Sequence, residues 1–416
     1  MRCDPTRRPE PWRVSRFVAL VLLASAAILL AGCGHDVELI IPAEPAERSS
    51  ADLGLGPGVR PLTFGPGDKD SPRWGPSGKR LAYILDGYVV DKQRDTSEIH
   101  RLTTRDLGAY EVEWVSSGDG LAILGPDLSK TSTSPASQEP PRAIYRTGPG
   151  STSLSVDKVA ANVLAMGPLP NGNLLVALGI APDASTLAVI DGEKVSRTFP
   201  YSAKGSISGL CVSPDGSKAV MAIRRAPSGS FEVHAFDLSD GTSRRIGDLP
   251  RGQEIFGAPQ WTKHGIYYVV GRARTDGGGD AAPYDLFHLP LKSGEPEPVA
   301  GVGEEFVASS LMASPDGGRL AVLGRRNPNA PEDLYVLDLA TGVLEAITEN
   351  ENMDIKTEPE DLAWSPDGDH VAIVARGILT GHRVYDVRAE ALLADFYNIY
   401  DVPVGSPGST GNGLVR

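Results

Sequence analysis

The sequence predicts an all-β chain folded as a seven-bladed β-propeller, and three observations predict it. Turn glycines recur at Gly78, Gly118, Gly172, Gly216, Gly265, Gly317 and Gly368, spaced 40 to 54 residues apart, which is a blade period. A strand-like segment follows each turn: EIHRLTT (98–104), AIYRTG (143–148), TLAVIDG (186–192), EVHAFDL (232–238), DLFHLPL (285–291), DLYVLDL (333–339) and NIYDVPV (398–404). Each alternates with period 2, as a third strand packed on both faces does. Third, the ends complement each other. GVRPLTFG (58–65) reads as an outermost strand without a blade, and NIYDVPV as a blade without its outermost strand. Pairing the two closes the ring and removes an exposed edge. Blade three (LPNGNLLVALGIAPDASTLAVIDG) departs furthest from the repeat, so six blades is the alternative count.

Composition points the same way. Gly (47) and Pro (34) make up about a fifth of the 416 residues, against roughly 12% in ordinary globular chains. Turns must therefore be frequent and elements short.

The first segment is an address. Arg2, Arg7, Arg8, Arg13 and Arg16 precede an apolar run, Phe17 to Leu30, too short for a membrane-spanning helix of about 20 residues. A charged start, short apolar middle and small residues after it mark a secretory signal, residues 1–32. Leu30-Ala31-Gly32-Cys33 resembles the bacterial lipobox. The resemblance implies cleavage before Cys33 and lipidation of that residue, with two or three acyl chains giving a firm anchor. Gly34 is not the Asp that retains lipoproteins in the inner membrane by that family's rule. The expectation is therefore the periplasmic face of an outer membrane in a diderm cell, and the outer face of the cytoplasmic membrane otherwise. Residues 33–57, rich in Pro, Ala, Ser and Gly, read as a lipidated tether.

Removing residues 1–32 leaves 35 basic and 51 acidic residues, so a formal charge of -13 becomes -16. Such a surface offers no basic stripe and disfavours nucleic acid and anionic lipid as partners. It reads either as plain solubility or as a preference for a cationic partner. Once Cys3 leaves with the signal and Cys33 is acylated, Cys211 has no partner. No disulfide framework is expected, and Cys211 reads as an inert core thiol.

Residues 58–405 hold the repeat, and 406–416 a tail. Its unit is a strand, a Ser-Pro-Asp-Gly turn and an apolar strand, clearest at CVSPDGSKAV (211–220), MASPDGGRLAVLG (312–324) and AWSPDGDHVAIVA (363–375). Pro pre-sets φ, Asp accepts local backbone bonds and Gly supplies the positive φ. The SPDG turn, the Trp before it and the acidic–Ile/Leu–aromatic or His third strand resemble the TolB-type, WD40-like propeller repeat. That resemblance implies the fold over residues 58–405 and little about function. TolB itself carries an α/β domain before a six-bladed propeller. The short tether and the count of seven make this chain a propeller of that type and not TolB.

Catalytic patterns are weak. Gly205-Ser206-Ile207-Ser208-Gly209 has Ile where a nucleophile elbow needs Ser. The histidines form no HxxH or HExxH pair, and His100 and His234 read as packing residues at a shared third-strand position. Residues 276–280 and 349–354 fail calcium-loop spacing and read as a floppy loop and a solvated acidic connection. No metal or cofactor is expected.

Function is therefore sought at the axial mouth, where inner strands begin. Asp70, Arg73, Glu113, Gln260, Glu360 and Asp361, with Glu358 nearby, form a mostly acidic funnel for a basic peptide or cationic group, or else ordinary solvated loop residues. Long connections at 125–142 and 376–397 offer further binding surface. The expectation is a monomeric, non-catalytic scaffold for an envelope protein or peptide. The alternative is a carbohydrate-active or lyase-type propeller enzyme acting at the mouth.

Overall fold

In a computed structural model the chain is all-β and forms a seven-bladed propeller. The described residues are 55–56, 58–103, 107–115, 120–129, 141–147, 157–181, 184–192, 194–200, 203–225, 230–249, 253–272, 285–291, 295–299, 302, 305–351, 353–377 and 396–405. Cys33, Gly118, the 276–280 loop, the tail, and most of the two long connections lie outside them.

Blades 1 to 6 are antiparallel four-stranded sheets in sequence order, with one short extra strand in blade 3. Blade 4 is representative: Ser206–Val212, Lys218–Arg224, Phe231–Asp237 and Ser243–Asp248, from the inside outwards. Blade 7 takes its outer strand from the other end of the chain. Arg60–Pro61 pairs antiparallel with Asn398–Pro403, Arg60 opposite Asp401 and Pro61 opposite Tyr400, and the Leu62 amide donates to the Ile399 carbonyl at 2.8 Å. The first and last described strands close the ring as the sequence requires, and blade three is a member of it despite its extra strand.

The turns explain why the repeat was legible. In 213–218 the Ser213 hydroxyl donates to Asp215 Oδ1 (2.7 Å), the Gly216 amide to the Ser213 carbonyl (2.8 Å), and the Lys218 amide to Ser213 Oγ (2.9 Å). The same set recurs at Ser314–Asp316–Arg319 and Ser365–Asp367–His370. Gly216, Gly317 and Gly368 all sit near φ +70°, where a Cβ is disfavoured.

One strand was misplaced. EIHRLTT is not the third strand of blade 1; Tyr88–Gln93 is, and Ile99–Arg101 is the outer strand. The reason is Asp86-Gly87, at φ +48° and +82°. This tight hairpin turn reverses the chain directly after Arg80–Leu85. His100 therefore does not share a position with His234. The packed chain also starts before residue 58: Leu55 is fully buried with Val59 between blades 6 and 7.

The apolar core lies between blades. Seven clusters of buried residues are described, one at each blade junction, including the closing one, where Leu62 and Trp74 meet Ala363 and Ile399. Tryptophans fasten some junctions. Trp114 Nε1 donates to the Arg73 carbonyl of blade 1 and Trp364 Nε1 to the Met312 carbonyl of blade 6, both at 2.9 Å. Arg80 and Arg319 lie over those rings at 4.8 and 5.1 Å from the centroids, a cation–π arrangement.

Candidate binding site at the axial mouth

Irregular inner strands build the site. In blade 7, Met353–Ile355 and Leu362–Trp364 both pair with His370–Gly377. The chain between them carries Lys356, Glu358 and a 3-10 turn, Pro359–Asp361. In blade 1 the ladder slips between Asp70 and Arg73, with Ser71 at φ +50°. Such bulges re-aim side chains next to functional surfaces.

Five of the six predicted residues meet where blades 7, 1 and 2 join. Asp361 Oδ1 accepts the Ser71 amide at 2.8 Å, and Lys356 pairs with Asp70. Arg73 Nη1 donates to the Glu360 carbonyl at 2.7 Å. Its Nε donates to Glu113 Oε1 at 2.5 Å, and its Nη2 reaches Glu111 Oε1 at 3.4 Å. Arg73 is thus buried and locked between three blades. Burial works to lower its pKa, but Glu113 and Glu111 outweigh it and hold the guanidinium above its ordinary value.

Gln260 stands apart. Its Nε2 donates to the Ala258 carbonyl and its Oε1 accepts the Ala313 amide of blade 6, so it fastens two blades. Its strand does approach the site: a Cβ on Gly257 would lie 2.7 Å from Pro359 Cγ, and only glycine lets that bulge come so close.

Glu111, Lys356 and Ser71 were missed. Glu111 had a signal, because EVEW places it on the same strand face as Glu113. Lys356 and Ser71 reach the site only through contacts across the ring joint.

These segments carry six carboxylates (Asp70, Glu111, Glu113, Glu358, Glu360 and Asp361) against Arg73 and Lys356, with Arg142 close enough to act on Glu111. Burial pushes Asp361 up to about 7, the Ser71 amide opposing and Asp70 adding to the push. Burial likewise pushes Glu111 up to about 7; Arg73 opposes it and Glu113 adds to it. A carboxylate raised in the folded state stabilises the fold below its unfolded pKa and loses that contribution as pH rises through the folded value. Asp361→Asn should therefore flatten the fall in stability between pH 5 and pH 8. The gain over wild type at pH 8 is expected to be on the order of 2 kcal/mol, read by urea unfolding at each pH; a pH-independent difference would contradict it.

The remaining candidates do not converge here. Cys211 is partly buried; burial pushes its thiol up to about 11, opposed by the Trp261 amide, so little thiolate forms near neutral pH. His234 bonds Glu232 and Ser243, and burial lowers its pKa. In the 349–354 connection Glu349 and Glu351 are exposed. Asn350, expected to be solvated, is instead buried, its side-chain amide donating to the Glu332 and Met353 carbonyls. Among the described residues no group of three or more His, Cys, Asp or Glu is placed to hold a metal ion.

No family model and no curated protein matches the chain. Solved structures do. The β-propeller domain of the trilobed protease from Pyrococcus furiosus aligns at 13% identity, covering 76% of this chain and 93% of that one, with a TM-score of 0.52. An oligogalacturonate lyase from Vibrio parahaemolyticus aligns at 13%, covering 84% and 94%, TM-score 0.54. A GH74 xyloglucanase from Xanthomonas campestris aligns at 13%, covering 80% and 55%, TM-score 0.51. At such identities the likeness is one of fold. The Pyrococcus propeller is described as having an open velcro topology, whereas here the first and last strands pair.

Proposed function

We propose that this chain is a TolB-type propeller lipoprotein that acts as a non-catalytic scaffold, taking a cationic group of an envelope protein or peptide at its axial mouth. One observation carries the reading: the mouth holds more carboxylates than the local cations neutralise, and two of them are pushed up to about 7. An entering ammonium or guanidinium supplies the missing counter-charge in a partly dehydrated site, where such pairing is stronger than in water. The acids are spread along three blades, which suits a basic peptide better than a point ion. Cys33 is the lipidation site and membrane anchor, with the outer-membrane periplasmic face as the location in a diderm cell, and the protein is a monomer.

The second reading is a carbohydrate-active lyase, the activity in the name of one protein of the same fold. A polyuronate is a polyanion, and this mouth repels it.

Binding of labelled basic peptides to the full-length protein in mild detergent separates the two. A Lys/Arg peptide should bind at least tenfold more tightly than its lysine-acetylated form. Affinity should rise from pH 6 to pH 8 as Glu111 and Asp361 ionise. Glu360→Gln with Glu358→Gln should weaken it. Equal binding of both peptides, or turnover of polyuronate by the wild type, would overturn the scaffold reading.

A further inference from the structure

A second surface lies away from the mouth, between blades 4 and 5. A cleft of about 730 Å³ runs beside residues 243–246 of the outer strand of blade 4, with Ile246, Trp261 and Leu289 among its lining. Leu291, also lining it, is 43% exposed. Where the two blades touch beyond it, a Cβ on Gly247 would meet Leu289 Cδ2 at 3.4 Å.

Three cations line this cleft, Lys218, Arg244 and Arg245, against one carboxylate, Asp237. Lys218 lies 3.4 Å from Asp237. Arg245 pairs with Asp248 and stands 3.7 Å from Glu232. Arg244 is exposed and has no carboxylate partner among the described residues. On a chain of net charge -13, Arg244 is thus an exposed cation without a counter-charge beside the cleft. Ser243–Asp248 also pairs on one side only among the described residues, with Phe231–Asp237, so the strand offers a free edge.

From these features we infer that the cleft between blades 4 and 5 binds an extended acidic segment of a partner protein, which adds to blade 4 as a fifth strand. The free edge supplies main-chain hydrogen bonds, the apolar lining takes one side chain, and Arg244 with Lys218 meets the carboxylates on either side of it. A basic segment fits the same edge but faces an unpaired guanidinium. The outer strand of blade 3, Lys194–Thr198, makes a useful control. It is exposed and basic, but Arg197 already donates to the Leu238 and Ser239 carbonyls.

The test is fluorescence polarisation with the full-length protein in mild detergent and ten-residue peptides. One alternates Glu and Asp around a central Leu, a second replaces the acids by Gln and Asn, and a third N-methylates alternate amides of the first. The acidic peptide should bind at least tenfold more tightly than the other two. Arg244→Glu should cost at least tenfold, while Lys194→Glu and the mouth variant Glu360→Gln stay within twofold. Equal binding of the Gln/Asn peptide, an unaffected Arg244→Glu, or full affinity of the N-methylated peptide would each overturn the proposal. The peptide comparisons hold whether or not any variant folds.

Discussion

Asp401→Ala is expected to destabilise the folded chain by about 3 kcal/mol and to weaken binding at the mouth with it. Asp401 is 1% exposed on the strand that closes the ring. Its Oδ2 accepts Arg60 Nε of the N-terminal strand at 3.0 Å and Arg94 Nη2 of blade 1 at 2.8 Å. His370 Nδ1 stands 3.1 Å from Oδ1. One carboxylate therefore gathers groups from both ends of the chain. Removing it leaves the largely buried Arg94 guanidinium without its carboxylate, beside a half-exposed Arg60, which costs more than the pair's own attraction. The joint is also where the site lies: Asp361, Glu360 and Lys356 come from blade 7, and Ser71, Arg73 and Asp70 from blade 1. Guanidinium unfolding reads the loss, and Asp401→Asn, which keeps the shape, should lose less. A change under about 1 kcal/mol would mean that the network is no more than a surface ion pair.

Trp364→Ala is expected to cost about 3–5 kcal/mol. The ring is 7% exposed in the cluster between blades 6 and 7, and blade packing leaves little freedom to collapse around the space. Trp364→Phe separates the contributions: it keeps most of the apolar contact and loses the hydrogen bond to the Met312 carbonyl, about 1 kcal/mol. Trp114→Phe should behave alike. Trp74→Phe should cost less, because Trp74 Nε1 has no hydrogen-bond partner among the described residues and its ring is covered by Arg94 of its own blade. Equal losses at Trp74 and Trp364 would contradict this view of the junctions.

The fold was legible because its signal is local. A Ser-Pro-Asp-Gly turn is built from bonds within six residues, and its glycine is needed for positive φ, so each copy can be read alone and then counted. The matching ends were legible for the same reason, each being a recognisable strand. The alternation of EIHRLTT fits a third or an outer strand equally, and only the Asp86-Gly87 turn upstream decides that it is the outer one. The site was legible in part. Charges at the start of inner strands pointed to Asp70, Arg73, Glu113, Glu360 and Asp361. The slip at Ser71 and the broken inner strand of blade 7 depend on partners nearly 300 residues away, and no local pattern announces them. Gln260 looked equivalent by position, but its bonds run sideways to blade 6.

The site depends on a ring shut by its own ends, and hydrogen–deuterium exchange of the segment 60–66 tests that closure most directly. The Leu62 amide, bonded to the Ile399 carbonyl at 2.8 Å, should exchange as slowly as the amides of residues 398–402. Exchange of residues 60–66 at the rate of an unstructured chain, beside protected strands in blade 7, would show an open ring and a site without its joint.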